Sequence, residues 1–129
     1  MIVCGNPKIE RKIVRDALDH VALENHRSLV PVLQKLKRQD FALVGLEQAS
    51  NSHCLYEYPF RPRTVLVLGH ERSGITEDVL QLLDHVVEIP VFGRPLSYNV
   101  ASATSMALYE YCRQSGAWSS PCEFNGESP

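Results

Sequence analysis

Two short polar stretches, each directly after an apolar run, hold the residues whose types suit chemistry. The first is Gly69-His70-Glu71-Arg72-Ser73-Gly74. The second is Ser97-Tyr98-Asn99, which follows Ile89-Pro90 and a glycine- and proline-bearing loop over residues 91–96. A turn bounded by glycines brings backbone N–H and C=O groups close to a ligand with no side chain in the way. Gly69 and Gly74 bound such a turn, although the same pattern also serves a plain strand-to-helix connection. Glu71 stands just past the end of the apolar run Thr64–Leu68. A carboxylate there either works in a site or caps the helix that follows. Ser97 and Asn99 stand where a helix opens, and both residue types are good N-caps.

Several other chemistries fail on spacing. The chain has no G-x-x-x-x-G-K-[ST] phosphate loop, and Gly69-His70-Glu71 breaks a G-x-G-x-x-G dinucleotide turn. A nucleophile elbow needs serine two residues after Gly69, where Glu71 stands. Cys4, Cys54, Cys112 and Cys122 form no C-x-x-C pair, and His20 and His26 are too loosely spaced for a helical metal pair. No metal site is expected.

The elements that must position these residues alternate strand and helix. Thr64–Leu68 has the length and β-branched content of a buried strand. A short amphipathic helix is expected over Thr76–Leu83, a strand over His85–Ile89 ended by Pro90, and a last helix opening near Ser97 or Asn99. Upstream, Met1–Cys4 reads as a strand end and Lys8–Leu18 as a helix. Val21–Leu23 reads as a short strand. A helix runs from the Ser28 cap to about Gln39, and Phe41–Leu46 is a second buried strand. Cys54–Arg63, with three aromatics and two prolines, reads as an irregular connection. In an open α/β sheet the loops after the strands are where ligands bind.

At 129 residues the chain has room for one domain, taken as 1–115, with a tail over 116–129 rich in Ser, Pro, Gly and Glu that predicts disorder. A net charge of −2 gives no whole-chain basic field for nucleic acid. The clusters Lys8, Arg11, Lys12, Arg15 and Lys35, Lys37, Arg38 read as solvated helix faces. Apolar runs are too short for a membrane span, and Met1–Cys4 is too short for a signal peptide. A soluble, reducing, cytoplasmic setting is expected, with the mitochondrion left open.

The motifs LVLGHERSGI and EIPVFGRPLSYNVASATSMALYE carry a resemblance. They are similar to the second and third motifs of the SpoU (TrmH-type) RNA ribose methyltransferases, of the SPOUT superfamily. Weaker similarity runs through Asn6-Pro7-Lys8 and Leu46–Ser52, so the resemblance covers about Ile2 to Arg113. It implies an α/β fold with a mostly parallel sheet, helices on both faces and a C-terminal trefoil knot over Pro90–Tyr111. It implies S-adenosylmethionine as cofactor and 2′-O-methylation of a tRNA or rRNA ribose. It also implies a homodimer formed through the knot region. The matching residues make Glu71, Ser97 and Asn99 the catalytic candidates. Leu68, Gly69, Ile89, Pro90, Tyr98 and Asn99 become the cofactor candidates, with Tyr98 standing where the family usually has leucine.

One departure supports an alternative. The family's first motif, N-x-G-x-x-x-R, has no counterpart here; Asn6 to Arg11 offers an Asn and an Arg without the Gly. The resemblance attributes deprotonation of the ribose hydroxyl to that Arg. The alternative reading is therefore a non-catalytic relative that binds RNA or a partner, and little methyl transfer is expected from this chain alone.

Overall fold

A computed structural model of the chain describes residues 1–5, 21–93 and 98–116. The chain divides into two compact units, residues 1–40 and 41–129.

In the first unit, β1 (Ile2–Cys4) pairs in parallel with β2 (Glu24–His26), with Ile2 opposite Glu24 and Cys4 opposite His26. The strand expected at Val21–Leu23 thus lies three residues later. Backbone pairing overrides composition there: Glu24 N–H donates to Met1 O and Gly5 N–H to His26 O, although Glu24-Asn25-His26 is polar and mostly exposed. The helix α1 (Leu29–Arg38) begins after Ser28, whose backbone is extended as an N-cap requires. The Ser28 hydroxyl makes no capping bond. Val32 and Leu33 are buried, and Lys35, Lys37 and Arg38 lie in the last turn, where cations complement the helix dipole. The helix expected over Lys8–Leu18 lies outside the described residues.

The second unit is a four-stranded sheet in the order β4-β6-β3-β5, every neighbouring pair parallel. Its strands are β3 (Ala42–Leu46), β4 (His53–Cys54), β5 (Thr64–Leu68) and β6 (His85–Glu88). β3 is interior, and Ala42 through Gly45 are all buried. That explains why its sequence reads as a continuous apolar run rather than an alternating one.

Adjacent residues of β3 face opposite ways. Val44 joins Leu55, Tyr58, Val87 and Ala107 in one apolar cluster. Ala107 belongs to α3 (Val100–Ser115) and has no exposed surface, so the helix lies close on this face. Gly45 faces the other way, against Leu83 and Ile75. A Cβ there would sit 2.5 Å from Leu83 Cδ1 and 3.1 Å from Ile75 Cδ1. The residue 75–83 segment therefore covers the second face. Its helix α2 is a single turn, Glu77–Leu80, shorter than the expected Thr76–Leu83. The chain must straighten by Asp84, whose N–H donates to Leu43 O while its carboxylate accepts Leu43 N–H, each at 2.8 Å.

The connection Cys54–Arg63 is irregular beyond its first residue, where His53 and Cys54 pair with Val87 and Glu88 at the sheet edge. Its aromatics pack edge to face, Tyr58 on Phe60 at 4.9 Å and Phe60 on Tyr111 at 5.8 Å. α3 ends at Gly116 in the left-handed region (φ 67°), a conformation glycine adopts without strain. Residues 94–97 and the tail from 117 lie outside the described residues, so the expected knotted crossing falls partly there.

The end of α3 is clamped to the 55–63 connection. Gln114 Oε1 accepts Phe60 N–H at 2.8 Å, and its Nε2 donates to Tyr58 O at 2.9 Å and to Glu110 Oε1 at 2.7 Å. Glu110 also accepts two bonds from Arg113, at 2.7 and 2.9 Å, and its side chain is 13% exposed. These bonds, from Arg113 first and Gln114 second, lower the Glu110 carboxyl from 4.5 to about 2. A depressed carboxyl contributes stability above its unfolded value and loses it as pH falls through the folded value. Melting temperature should therefore drop between pH 4.5 and about 2. Glu110→Gln should flatten that part of the profile. An unchanged profile in the variant would remove Glu110 from the clamp.

Candidate functional site

The carboxyl ends of β3, β5 and β6 open onto a cleft of about 680 Å³. That size suits a small organic ligand. Its position is dictated by chain order: β5 and β6 flank β3, so the chain crosses from one side of β3 to the other between them. Such a switch in strand order leaves a crevice beyond the strand ends.

One wall is the turn after β5. His70 N–H donates to Gly74 O at 3.0 Å and Gly74 N–H to His70 O at 2.8 Å, which closes a five-residue loop. Gly74 has φ +68°, a conformation that L side chains rarely adopt. Gly69 is constrained differently from the sequence expectation. A Cβ there would lie 2.4 Å from Gly74 C and 2.6 Å from Ile75 N. The missing side chain therefore serves closure of the turn itself, and Gly69→Val would displace backbone before it met any ligand. His70 Nδ1 accepts Arg72 N–H at 3.2 Å, so one of its ring nitrogens is committed within the turn.

The facing wall is the start of α3. Asn99 is its N-cap, with Oδ1 accepting Ala101 N–H at 2.9 Å. That bond leaves the amide nitrogen as the other end of the side chain. Asn99 Nδ2 donates to Glu71 Oε1 at 3.3 Å, across 28 residues of sequence. One side chain thus starts the helix and joins the two motif loops.

The sequence candidates are placed as follows. Leu68, Gly69, Glu71, Ile89, Tyr98 and Asn99 all line this cleft. Leu68 is 37% and Tyr98 41% exposed, so both present surface for contact. Pro90 lines an adjoining apolar groove of about 430 Å³, shared with Leu55, Tyr56, Met106 and Tyr109. Ile89 reaches both. Ser97 lies outside the described residues.

Sequence reasoning did not single out Glu47, Glu88 or Ala103, which also line the cleft. Glu47 had a usable signal: it follows a buried strand directly, as Glu71 does. Three carboxylates, Glu47, Glu71 and Glu88, line the cleft together with His70 and Arg72. Such a lining favours a ligand with a cationic portion and apolar surface for Leu46, Leu68 and Ile89. Among the described residues no group of three His, Cys, Asp or Glu could hold a metal ion. No helix among them is long and apolar enough to cross a membrane.

Comparison with known proteins bears on this cleft. The SpoU rRNA Methylase family model matches residues 5–109. The chain is 38% identical over 86 residues to the tRNA (guanosine(18)-2′-O)-methyltransferase TARBP1 of Mus musculus, covering 67% of this chain and 5% of that protein. It is 31% identical over 94 residues to the tRNA (guanosine(18)-2′-O)-methyltransferase of Escherichia coli K12, covering 73% of this chain and 41% of that protein. The chain thus spans less than half of each of these two relatives. Among solved structures, the A. aeolicus TrmH/SpoU tRNA modifying enzyme superposes with a TM-score of 0.77 at 30% identity, over 85% of this chain and 56% of that one. The SpoU methyltransferase AviRb of Streptomyces viridochromogenes, in complex with AdoMet, also superposes at 0.77, with 27% identity over 90% of this chain and 49% of that one. With the motif loops joined by Glu71 and Asn99 at the ends of a parallel sheet, the chain belongs to the SpoU rRNA methylase family.

Proposed function

We propose that this chain forms the cofactor-binding part of an S-adenosylmethionine-dependent RNA 2′-O-ribose methyltransferase acting on tRNA or rRNA. The observation that carries the reading is the Glu71–Asn99 hydrogen bond, which brings both motif loops to one cleft at the strand ends. The cofactor supplies an electrophilic methyl group on a sulfonium. The cleft residues fit it: the Gly69–Gly74 turn lines the cleft, and Leu68, Ile89 and Tyr98 offer apolar area for an adenine ring. Glu71 and Glu88, which also line the cleft, complement its positive charges.

The chain's own contribution is to bind and orient. Asn99 and Glu71 hold the two walls at a fixed separation, and fixed geometry is where much of the acceleration in group transfer arises. Held between the turn bearing Glu71 and the helix start at Asn99, the cofactor would supply its methyl group to a ribose 2′-oxygen and leave as the neutral thioether. The hydroxyl proton must leave to a base as the methyl arrives. Calorimetry with S-adenosylmethionine, paired with methyl transfer to total tRNA and rRNA, tests the reading. Binding without transfer supports the non-catalytic alternative, and no binding by the folded chain overturns the cofactor assignment.

The remaining features follow the same family reading. The chain forms a trefoil knot over Pro90–Tyr111, and two copies dimerise through the knot region. Support for the dimer comes from Tyr56, Met106 and Tyr109, which line the apolar groove and are 65, 41 and 67% exposed. An apolar surface of that kind suits association. Met106→Glu should lower the sedimentation coefficient to that of a monomer, and a monomeric native chain would contradict the dimer. An experimental structure whose last helix lies outside any loop, with no threading, would contradict the knot.

Asn99 allows capping and site roles to be separated. Asp caps helices as well as Asn does, whereas Ala costs about 1 kcal/mol. Asn99→Asp keeps the oxygen that accepts Ala101 N–H but replaces the donor facing Glu71 with a second oxygen. The variant should melt close to the native chain yet bind S-adenosylmethionine at least tenfold more weakly. Equal affinity in the two proteins would mean that the Glu71–Asn99 contact has no part in the site.

A further inference from the structure

We propose that Glu47 is a positioning residue for the cofactor cleft, setting the Gly69–Ile75 turn so that Glu71 meets Asn99. The inference rests on the cofactor reading above and assigns the part of that site supplied by the loop after β3. Glu47 is the first residue beyond β3, and its N–H donates to Val87 O at 3.1 Å, which continues the ladder to β6. Its side chain takes the opposite face from Leu46, the face on which Gly45 meets Ile75. From there the carboxylate reaches the turn after β5. Oε2 accepts Ile75 N–H at 3.1 Å, and Oε1 accepts Gln48 N–H at 3.2 Å.

Ile75 is the buried exit of the turn, and its N–H needs an acceptor away from water. Within the turn, the paired bonds between His70 and Gly74 engage the backbone of those two residues and leave Ile75 N–H to Glu47. The contact is also steric. A Cβ on Gly74 would lie 2.5 Å from Glu47 Oε2, so the carboxylate lies where a side chain at that position would project. Glu47 thus fixes the exit of a closed loop whose other arm bears Glu71, and Glu71 Oε1 accepts the Asn99 amide. A turn released at Ile75 can swing as a unit, carrying Glu71 away from α3 and widening the cleft.

The experiment compares Glu47→Gln with Glu47→Ala in the full chain. Gln retains an oxygen able to accept Ile75 N–H; Ala retains neither the acceptor nor the contact with Gly74. The first measurement is S-adenosylmethionine affinity by calorimetry, with urea unfolding as the control for folding. Glu47→Ala should bind at least tenfold more weakly, and Glu47→Gln within about threefold of the native chain. A folded Glu47→Ala protein with native affinity overturns the proposal. So does Glu47→Gln binding as weakly as Glu47→Ala, which would make the negative charge, not positioning, the contribution. The second measurement needs no cofactor: the NMR signal of the Asn99 side-chain amide. It should move in Glu47→Ala and recover in Glu47→Gln, a response that a tie confined to Ile75 would not produce. If the native chain binds no cofactor, the cofactor reading fails, and the Asn99 signal alone decides whether Glu47 sets the turn. If Glu47→Ala does not fold, Glu47→Asp, shorter by one methylene, takes its place in both measurements with the same expected losses.

Discussion

The structure of the second unit depends on β3 being covered on both faces and both edges. β5 pairs along its whole length, from Ala42 opposite Thr64 to Leu46 opposite Leu68. β6 pairs along its other edge at Val44 to Leu46. Parallel neighbours demand crossover connections. One face is then taken by α3 through Ala107 and the other by Leu83 and Ile75. Because the chain must pass from β5 to β6 across β3, the strand ends are left as an open crevice. The site is a consequence of burying one strand.

What turns that crevice into a defined cleft is polar and local. The turn after β5 is closed by its own backbone bonds, and the absence of side chains at Gly69 and Gly74 lets it close. The start of α3 is fixed by Asn99. A single amide group satisfies a helix N–H with its oxygen and bonds Glu71 with its nitrogen. Such a residue couples the stability of a helix to the geometry of a site. Its replacement by an apolar residue therefore confuses the two effects. At the far end of α3, Gln114 plays the matching anchoring part against the 58–60 backbone.

Much of this was legible in the sequence, for reasons that differ by element. Phe41–Leu46 read as a strand because a parallel strand buried on both faces is a continuous apolar run. Thr64–Leu68 and His85–Ile89 read as strands through their β-branched residues, although only Val67 and Val87 are buried in β5 and β6. Asn99 marked the start of α3 through capping chemistry. β4 went unread because two residues at an edge carry no periodicity. β2 was misplaced because pairing partners, and not apolar side chains, hold Glu24–His26 in strand form. In the site, the positions of Glu71 and Asn99 were legible as residues beyond strand and helix ends. Their hydrogen bond was not, since no local rule links residues 28 apart. Glu47 was hidden in a polar loop, and its role is visible only once its carboxylate is seen at Ile75 N–H. Gly69 was read as space for a ligand, whereas that space is used by the turn's own backbone.

The central claim is that the joined motif loops form the binding surface for S-adenosylmethionine. Amide chemical-shift mapping of the isotopically labelled chain during titration with that cofactor tests it most directly. The account predicts that the largest shifts fall on Leu68–Ile75 and on Tyr98–Val100, with Leu29–Arg38 little changed. Shifts centred on Leu29–Arg38, or a folded chain whose amides do not move at saturating cofactor, would contradict it.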